Sequence, residues 1–176
     1  YGIFLKNCKD SIKVAQLAGF VAEKTNYHHG EQNLFETITK LAQDFVGSNN
    51  ISYLQKDGQF GTRLLGGKDA ANARYIFTKL SNITRVLFPK QDDCLLDYVY
   101  DEGEKVEPKY YIPIIPTILV NGCKAGIGTG WSTSIPSYNP KDLIMCIKNW
   151  LNEEKLGNIQ PWYKGFRGEI KKINAY

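Results

Sequence analysis

The chain has 176 residues, of which 43% are hydrophobic and 23% charged, so it can bury a core and is not intrinsically disordered. Its longest apolar stretch, residues 110–120, is interrupted by prolines and is too short for a transmembrane helix. No basic-then-apolar leader opens the chain, so we expect no secretory signal. The four cysteines show no metal-ligand spacing, which predicts reduced intracellular thiols and no structural zinc site.

Hydrophobic periodicity predicts three amphipathic helices. The first covers residues 10–21, and the second follows Gly30 and extends to about residue 45. The third begins at Asn139, with Pro140 at the first helical position, where proline is favoured. Their apolar stripes are Val14, Leu17, Ala18 and Val21; Leu34, Phe35, Ile38, Leu41, Ala42 and Phe45; and Leu143, Ile144, Ile147, Trp150 and Leu151.

Between the second and third helices, the sequence predicts strands at residues 75–78 and 118–120 and a short helix at residues 81–88. Residues 95–100 and 106–111 flank an acidic segment, which predicts a hairpin with a loop of four to five residues. Two helices joined by a tight glycine turn and followed by a hairpin are in the order of a winged helix-turn-helix.

The net charge of +4 permits a nucleic-acid partner but does not require one. Residues 58–90 hold six basic residues and one acid, whereas residues 91–107 hold seven acids and one lysine. A basic segment on glycine-rich loops suits a phosphate backbone. The alternative is two solvated surfaces of opposite sign, and the charges alone favour neither interpretation.

Two glycine-rich loops, residues 61–68 and 126–130, fail the spacing rules of nucleotide-binding motifs. The first is followed by Asp69 where a P-loop needs Ser or Thr, and the second lacks the dinucleotide-binding register. Such a loop still permits close backbone approach to a ligand. Ile127 therefore has two interpretations: a wedge between base pairs, or a side chain packed in the core.

Tyr75 directly follows Arg74, and this pair is a candidate for covalent chemistry on a phosphate. A tyrosine phenol can attack a phosphodiester and leave a covalent ester, while a neighbouring guanidinium stabilises the phosphate charge. The alternative is a strand tyrosine beside a solvent-facing arginine. His28 and His29 likewise have two interpretations: one of them contacts a phosphate or a reacting oxygen, or both are surface residues near a helix end.

Nine strings in the sequence carry a resemblance to a known family. They are residues 13–19 (KVAQLAG), 27–31 (YHHGE), 47–50 (GSNN), 58–64 (GQFGTRL), 66–69 (GGKD), 74–78 (RYIFT), 106–108 (VEP), 111–116 (YIPIIP) and 126–132 (GIGTGWS). In this order they resemble the DNA breakage-reunion core of type IIA DNA topoisomerases, in particular the eukaryotic type that also occurs in large DNA viruses. The resemblance extends from about residue 13 to residue 136 and continues more weakly to the end.

The resemblance implies an α+β fold: a winged helix-turn-helix (CAP-like) domain at residues 1–136 and the truncated start of an α/β tower domain at residues 137–176. The family uses Mg²⁺ on an acidic Toprim domain and ATP on an ATPase domain, and neither domain has a counterpart in this sequence. We therefore expect a fragment of a homodimeric enzyme that acts on double-stranded DNA, with the Toprim domain as a partner and no membrane. The expected location is the nucleus for a cellular enzyme, and a cytoplasmic viral factory or the virion for a viral one.

The resemblance also implies roles for individual residues. Tyr75 would become 5′-phosphotyrosyl, Arg74 and His29 would contact the reacting phosphate, and Ile127 would insert between base pairs. Further DNA contacts are predicted at Lys68, Arg63, Gln59, His28, Asn49 and Asn50. No metal site is predicted within this sequence. The alternative function is a winged-helix module that binds DNA without catalysis.

Overall fold

The computed structural model describes residues 1–173 and confirms a mixed α+β chain. The chain divides into two compact units. Unit 1 comprises Tyr1–Asp44 and Ser52–Ile114, and unit 2 comprises Phe45–Ile51 together with the residues from Ile115 onward. The domain boundary predicted after residue 136 stays a prediction. Within residues 1–173, no helix has the length and apolar character needed to cross a membrane.

Unit 1 contains a three-stranded antiparallel sheet in the order β1-β3-β2 and a separate hairpin, β4-β5. Its helices are α1 (Gly2–Lys6), α2 (Val14–Lys24), α3 (Glu31–Ala42) and α4 (Thr84–Leu87), with a 3-10 helix at Lys90–Leu95. Its strands are β1 (Ile12–Lys13), β2 (Leu54–Asp57), β3 (Phe77–Leu80), β4 (Tyr98–Asp101) and β5 (Glu104–Pro108). Helices α2 and α3, followed along the chain by the antiparallel strands β2 and β3, are in the order predicted for a winged helix-turn-helix.

The core of unit 1 is formed by the predicted apolar faces of α2 and α3. Its buried residues are Cys8, Val14, Leu17, Ala18, Leu34, Ile38, Ala42, Leu54, Phe60, Ala73 and Ile76. Burial stabilises each large aliphatic or aromatic side chain by about 1.5–3 kcal/mol, so this cluster fixes how the helices dock. Helix α3 ends at Ala42, so Phe45, the last member of the predicted stripe, lies outside the helix and in unit 2.

The acidic hairpin forms, but its loop is shorter than predicted. Asp101 pairs with Glu104, which leaves only Glu102 and Gly103 between the strands. Both have positive φ angles, 50° and 87°, as a two-residue type I′ turn requires. The strand pairing therefore continues into the acidic residues Asp101 and Glu104.

Unit 2 contains α5 (Thr117–Asn121), a hairpin of β6 (Cys123–Gly128) and β7 (Trp131–Ile135), and α6 (Pro140–Leu151). Helix α6 begins as predicted: Pro140 follows Asn139, whose side chain accepts a hydrogen bond from the Lys141 N–H at 3.0 Å. The strand predicted at residues 118–120 is wrong, because these residues lie in α5. A short aliphatic run is compatible with either structure, and the N–H groups of Leu119 and Val120 bond back to the Pro116 carbonyl.

Asn50 is the polar centre of unit 2. Its Nδ2 lies within hydrogen-bond distance of the Val120, Trp162 and Tyr138 carbonyls at 2.8, 3.1 and 3.2 Å, and its Oδ1 accepts the Lys164 N–H at 2.8 Å. The residue is only 6% exposed. Both polar atoms of the side chain are thus engaged internally. These contacts give Asn50 a structural role, and its predicted DNA contact stays a prediction.

Replacing Asn50 with alanine should destabilise unit 2 strongly. The Asn50→Ala change removes an amide that contacts four internal backbone groups and leaves some of them without partners, and each such buried group costs about 1–3 kcal/mol. We expect a total loss of about 3–5 kcal/mol in the free energy of unfolding, measured by chemical denaturation. The control Asn158→Ala, at an exposed asparagine of the same unit, should change it by less than about 0.5 kcal/mol. Equal effects of the two substitutions would contradict the structural role.

Candidate functional site

Arg74 and Tyr75 lie on an exposed turn between two buried residues. Ala73 is 6% exposed and Ile76 is 2% exposed, and both belong to the core of unit 1. Tyr75, in contrast, is 74% exposed. Strand β3 begins only at Phe77, so Tyr75 precedes the strand in which the sequence had placed it. The turn therefore presents a guanidinium and a phenol to solvent from a backbone that is anchored on both sides.

The first turn of α2 anchors this segment. The Val14 N–H donates to the Ile76 carbonyl at 3.0 Å, and the Ala15 N–H donates to the Ala73 carbonyl at 3.1 Å. No side chain caps α2, so the two carbonyls satisfy N–H groups that would otherwise lack partners at the helix start. These contacts also bring the segment to the positive end of the α2 dipole, which favours a bound anion nearby.

A glycine-rich loop connects β2 to this turn. It closes through a bridge between Phe60 and Ala70. Gly67 has a positive φ of 84°, and a Cβ there would lie 2.3 Å from the Gln43 side-chain nitrogen, so a larger residue would strain the backbone and displace the Gln43 amide. Gln43 is buried, and its Nε2 donates to the Phe60 carbonyl at 2.8 Å and the Gly67 carbonyl at 3.3 Å. The residue that follows α3 thereby fixes the loop through one amide.

Asp69 stabilises the same loop through hydrogen bonds to Thr62, an interaction that we call the Asp69 brace. Its carboxylate accepts the Thr62 N–H and the Thr62 hydroxyl, both at 2.8 Å. These two hydrogen bonds, from the backbone first and the hydroxyl second, lower the pKa of the Asp69 carboxyl below its usual value. The residue that rules out a P-loop in the sequence therefore has a structural function in the loop.

The predicted DNA contacts of unit 1 are exposed along this loop and near the start of α3. Exposed side chains are those of Gln59, Arg63, Lys68, His28 and His29. The His29 ring packs edge-on against Tyr27, with centroids 5.5 Å apart, and its carbonyl accepts the Asn33 Nδ2 at 2.9 Å. Within residues 1–173, no hydrogen bond joins His29 to Arg74 or Tyr75.

Sequence reasoning missed an open groove of ≈ 740 Å³ in unit 1. One wall is α3, with Gln32, Phe35 and Glu36, and the other is the segment from Gly66 to Ala73. One feature of the sequence did indicate an exposed face here: the side of α3 opposite the buried stripe carries polar residues at spacings of three and four. The groove ends at the residue that precedes Arg74, so a ligand on the turn could extend into it.

In unit 2, Ile127 stands near the tip of the β6-β7 hairpin. It is 85% exposed, so the interpretation that packs it in the core is excluded, and the wedge stays a prediction. Trp131, near the same tip, is 83% exposed. Ile127 pairs with Ser132, and Gly128 pairs with Trp131, so the two large side chains lie on opposite faces of the hairpin. Asn49, another predicted contact in unit 2, is half-buried.

The described part of the chain contains no group of three or more His, Cys, Asp or Glu side chains that could hold a metal ion. All four cysteines are free thiols, and only Cys8 is buried.

An α+β unit that exposes an Arg-Tyr pair beside a basic glycine loop matches the class predicted from the sequence, the DNA breakage-reunion proteins. The chain belongs to the DNA gyrase/topoisomerase IV A-subunit family, whose model matches residues 1–176. It is 57% identical to DNA topoisomerase 2 of Arabidopsis thaliana over 96% of this chain and 11% of that protein. It is 58% identical to DNA topoisomerase 2 of Candida albicans over 98% of this chain and 12% of that protein.

A solved structure agrees with these relatives. The crystal structure of the Plasmodium falciparum topoisomerase II DNA-binding, cleavage and re-ligation domain matches with a TM-score of 0.96 and 56% identity. The match covers 99% of this chain and 24% of that one. The resemblance to eukaryotic-type topoisomerase II is thus confirmed, while the chain spans only about an eighth or less of the two relatives' length.

The Asp69 brace predicts a specific dependence of stability on pH. Because the folded state lowers the pKa of this carboxyl, its stabilising effect is complete above the unfolded pKa of about 3.9 and disappears as the pH falls through the folded value. Asp69→Asn should lower the unfolding temperature at neutral pH, and the difference from the wild type should shrink as the pH falls below about 4. The control Asp92→Asn, on an exposed side chain, should show no such trend. A difference that stays constant with pH would contradict the brace.

Proposed function

We propose that Tyr75 is the nucleophile of a DNA breakage and rejoining reaction, and that this chain is the DNA-gate part of a type IIA topoisomerase. The observation that carries the proposal is the 74% exposure of Tyr75 between two buried, backbone-anchored neighbours. Exposed tyrosines are common, but the backbone on both sides of Tyr75 is fixed by hydrogen bonds to α2, and Arg74 lies next to it. The fold thus holds the phenol in solvent, where a DNA backbone can reach it.

The reaction is a transesterification. The Tyr75 oxygen attacks a backbone phosphate of duplex DNA and loses its proton, and the bond from phosphorus to the 3′ oxygen breaks. The products are a 5′-phosphotyrosyl link and a free 3′ hydroxyl, so the energy of the phosphodiester is retained in the covalent ester. Attack by that hydroxyl reverses the step, rejoins the strand and frees the tyrosine. Strand passage between these two steps would change DNA topology by relaxation or decatenation.

Arg74 and His29 would assist this reaction electrostatically. Arg74 is adjacent to the nucleophile, and its planar guanidinium can bind two oxygens of one phosphate. Charge that accumulates on those oxygens in the transition state is stabilised most by donors already in place. His29 would contact the same phosphate once DNA is bound.

Binding of the duplex would depend on the exposed polar surface of the glycine loop and its surroundings. Lys68 and Arg63 would contact phosphates from the loop, with Gln59 and His28 as further contacts from unit 1. Asn49 would be a separate contact from unit 2. Phosphate contacts of this kind position a duplex without reading its sequence, and they release counterions. Affinity should therefore fall steeply with salt.

Ile127 would act as the wedge that bends the duplex. An aliphatic side chain can enter the base stack because it leaves no polar group without a partner there. The cost of partial unstacking, a few kcal/mol for each step, is offset by extra protein contacts with the bent DNA.

The complete enzyme would supply what this chain lacks. Mg²⁺ would be held by a Toprim domain and ATP by an ATPase domain, both outside the present sequence. Two copies would form a homodimer, so that each tyrosine cuts one strand of the duplex. We place a cellular enzyme in the nucleus, and a viral one in a cytoplasmic viral factory or the virion.

Tyr75→Phe in the full-length protein tests the nucleophile. The substitution removes one oxygen from an exposed ring, so folding and DNA affinity should be unchanged within about twofold. Covalent cleavage should be abolished, because no other atom of the side chain can form the ester. The readout is protein attached to DNA 5′ ends after denaturation with detergent.

Tyr110→Phe is the matched control, since Tyr110 is also exposed and lies in the same unit. It should form the wild-type amount of adduct. A 5′ adduct in the Tyr75→Phe protein would sink the assignment of the nucleophile. DNA binding by a wild-type protein that forms no adduct would favour the non-catalytic winged-helix module.

The wedge is tested by comparing Ile127→Ala with Leu143→Ala. Ile127 is exposed, so its truncation should change the free energy of unfolding by less than about 0.5 kcal/mol. The same change should reduce DNA bending, measured by fluorescence transfer between labelled duplex ends in the full-length protein. Leu143, which is 3% exposed, should show the reverse: a loss of about 2–5 kcal/mol in stability with bending retained. Wild-type bending by the Ile127→Ala protein would rule the wedge out.

A further inference from the structure

Asn72 closes the turn that carries Arg74 and Tyr75, and it does so with two acceptors. Its backbone carbonyl accepts the Tyr75 N–H at 2.9 Å, which makes residues 72–75 a hydrogen-bonded β-turn. Its side-chain Oδ1 accepts the Arg74 N–H at 3.0 Å. A side chain that bonds the backbone two residues ahead forms an Asx-turn, which restrains the same dihedral angles a second time.

These bonds complete a continuous set of restraints around the tyrosine. The carbonyls of Ala73 and Ile76 are bound by the first turn of α2, and the N–H groups of Arg74 and Tyr75 are bound by Asn72. Among these four contacts, only the bond to Arg74 comes from a side chain. Asn72 is therefore the one position where a substitution can remove a restraint and leave the backbone pattern of the turn in place.

The position of the phenol depends on this backbone. Tyr75 is 74% exposed, and within residues 1–173 its ring and hydroxyl have no hydrogen-bond or ring partner. If the backbone of the turn shifts, no neighbouring side chain holds the phenol in place. A displacement of about 1 Å at a reacting group can lower a rate by roughly 100-fold, so the rigidity of the turn bears directly on attack.

We propose that Asn72 is a positioning residue for Tyr75: its Oδ1 holds the Arg74–Tyr75 turn in the conformation from which the phenol attacks phosphate. The inference rests on the proposed function of Tyr75. The Asn72 side chain is exposed and lines the groove beside α3, so its Nδ2 offers an alternative role as a direct DNA contact. The two roles predict different results when a second substitution is used to restore the rate of adduct formation that Asn72→Ala lowers.

The first measurement is the rate of covalent adduct formation by the full-length protein at saturating DNA, together with the affinity for DNA. Asn72→Ala should lower the rate by about 10-fold or more and leave the affinity within about twofold, because positioning acts on the reaction and not on ground-state binding. Asn72→Ser should restore most of the rate, since a serine hydroxyl can accept the same N–H bond. Asn82→Ala, at an exposed asparagine of the same unit, should behave like the wild type.

The second measurement asks whether rigidity alone is sufficient. Residue 73 is the second position of the β-turn, where proline presets φ and restricts the unfolded chain. Ala73→Pro added to Asn72→Ala should recover at least part of the lost rate, although proline cannot replace a contact with DNA. If Ala73→Pro is as active as the wild type but gives no rescue in the double variant, the inference is overturned. If Ala73→Pro is itself impaired, failure of Asn72→Ser to restore the rate overturns it instead.

Hydrogen exchange measured by mass spectrometry gives a readout that needs no catalysis. The peptide that covers residues 72–76 should exchange faster in Asn72→Ala and recover its protection in Asn72→Ser, because the Arg74 N–H loses and regains its acceptor. Unchanged exchange, or an equal fall in rate and affinity, contradicts a positioning role. Wild-type protein that forms no adduct overturns the function of Tyr75, whereas a wild-type adduct with an unchanged rate in Asn72→Ala overturns the role of Asn72 alone.

Discussion

Two hydrogen bonds, from the Val14 and Ala15 N–H groups to the carbonyls on either side of the Arg74–Tyr75 turn, connect the architecture of unit 1 to its chemistry. They are possible because α2 has no side-chain cap, so its first N–H groups need acceptors from elsewhere. Burial of Ala73 and Ile76 supplies those acceptors in fixed positions. The same two contacts cap the start of α2 and fix the position of the turn, so the helix and the turn cannot move independently.

The glycine loop is also fixed by hydrogen bonds, but here they come from side chains and not from the start of a helix. Gln43 holds its two arms together, and Asp69 holds Thr62 within it. The loop therefore keeps Arg63 and Lys68 at its surface without a regular secondary structure. Because the loop is already fixed by these hydrogen bonds, less of its conformational entropy is lost when it binds a phosphate backbone.

Periodicity predicted α2, α3 and α6 because their apolar residues recur at helical spacing, and that information is local. Helices α2 and α3 bury several residues of their stripes, whereas in α6 only Leu143 is buried. Periodicity failed at α5, where an aliphatic run of three residues fits either helix or strand. Tyr75 was predicted to be the nucleophile from long matching strings, because an Arg-Tyr dipeptide is by itself a common pair. The structural role of Asn50 was not predicted, because its partners lie 70 to 114 positions later in the chain and no local pattern reports contacts at that separation.

The distance along the chain between Asn50 and its partners constrains the order of folding. Every residue of unit 1 has been synthesised once Ile114 has emerged, whereas Asn50 must wait for Lys164 before its set of contacts is complete. During translation, unit 1 can form its sheet while Phe45–Ile51, a segment of unit 2, still lacks its permanent neighbours. Contacts of such high sequence separation close slowly. The amide of Asn50 thus completes its contacts only after the sheet of unit 1 can form, because one of its partners lies 114 positions further along the chain.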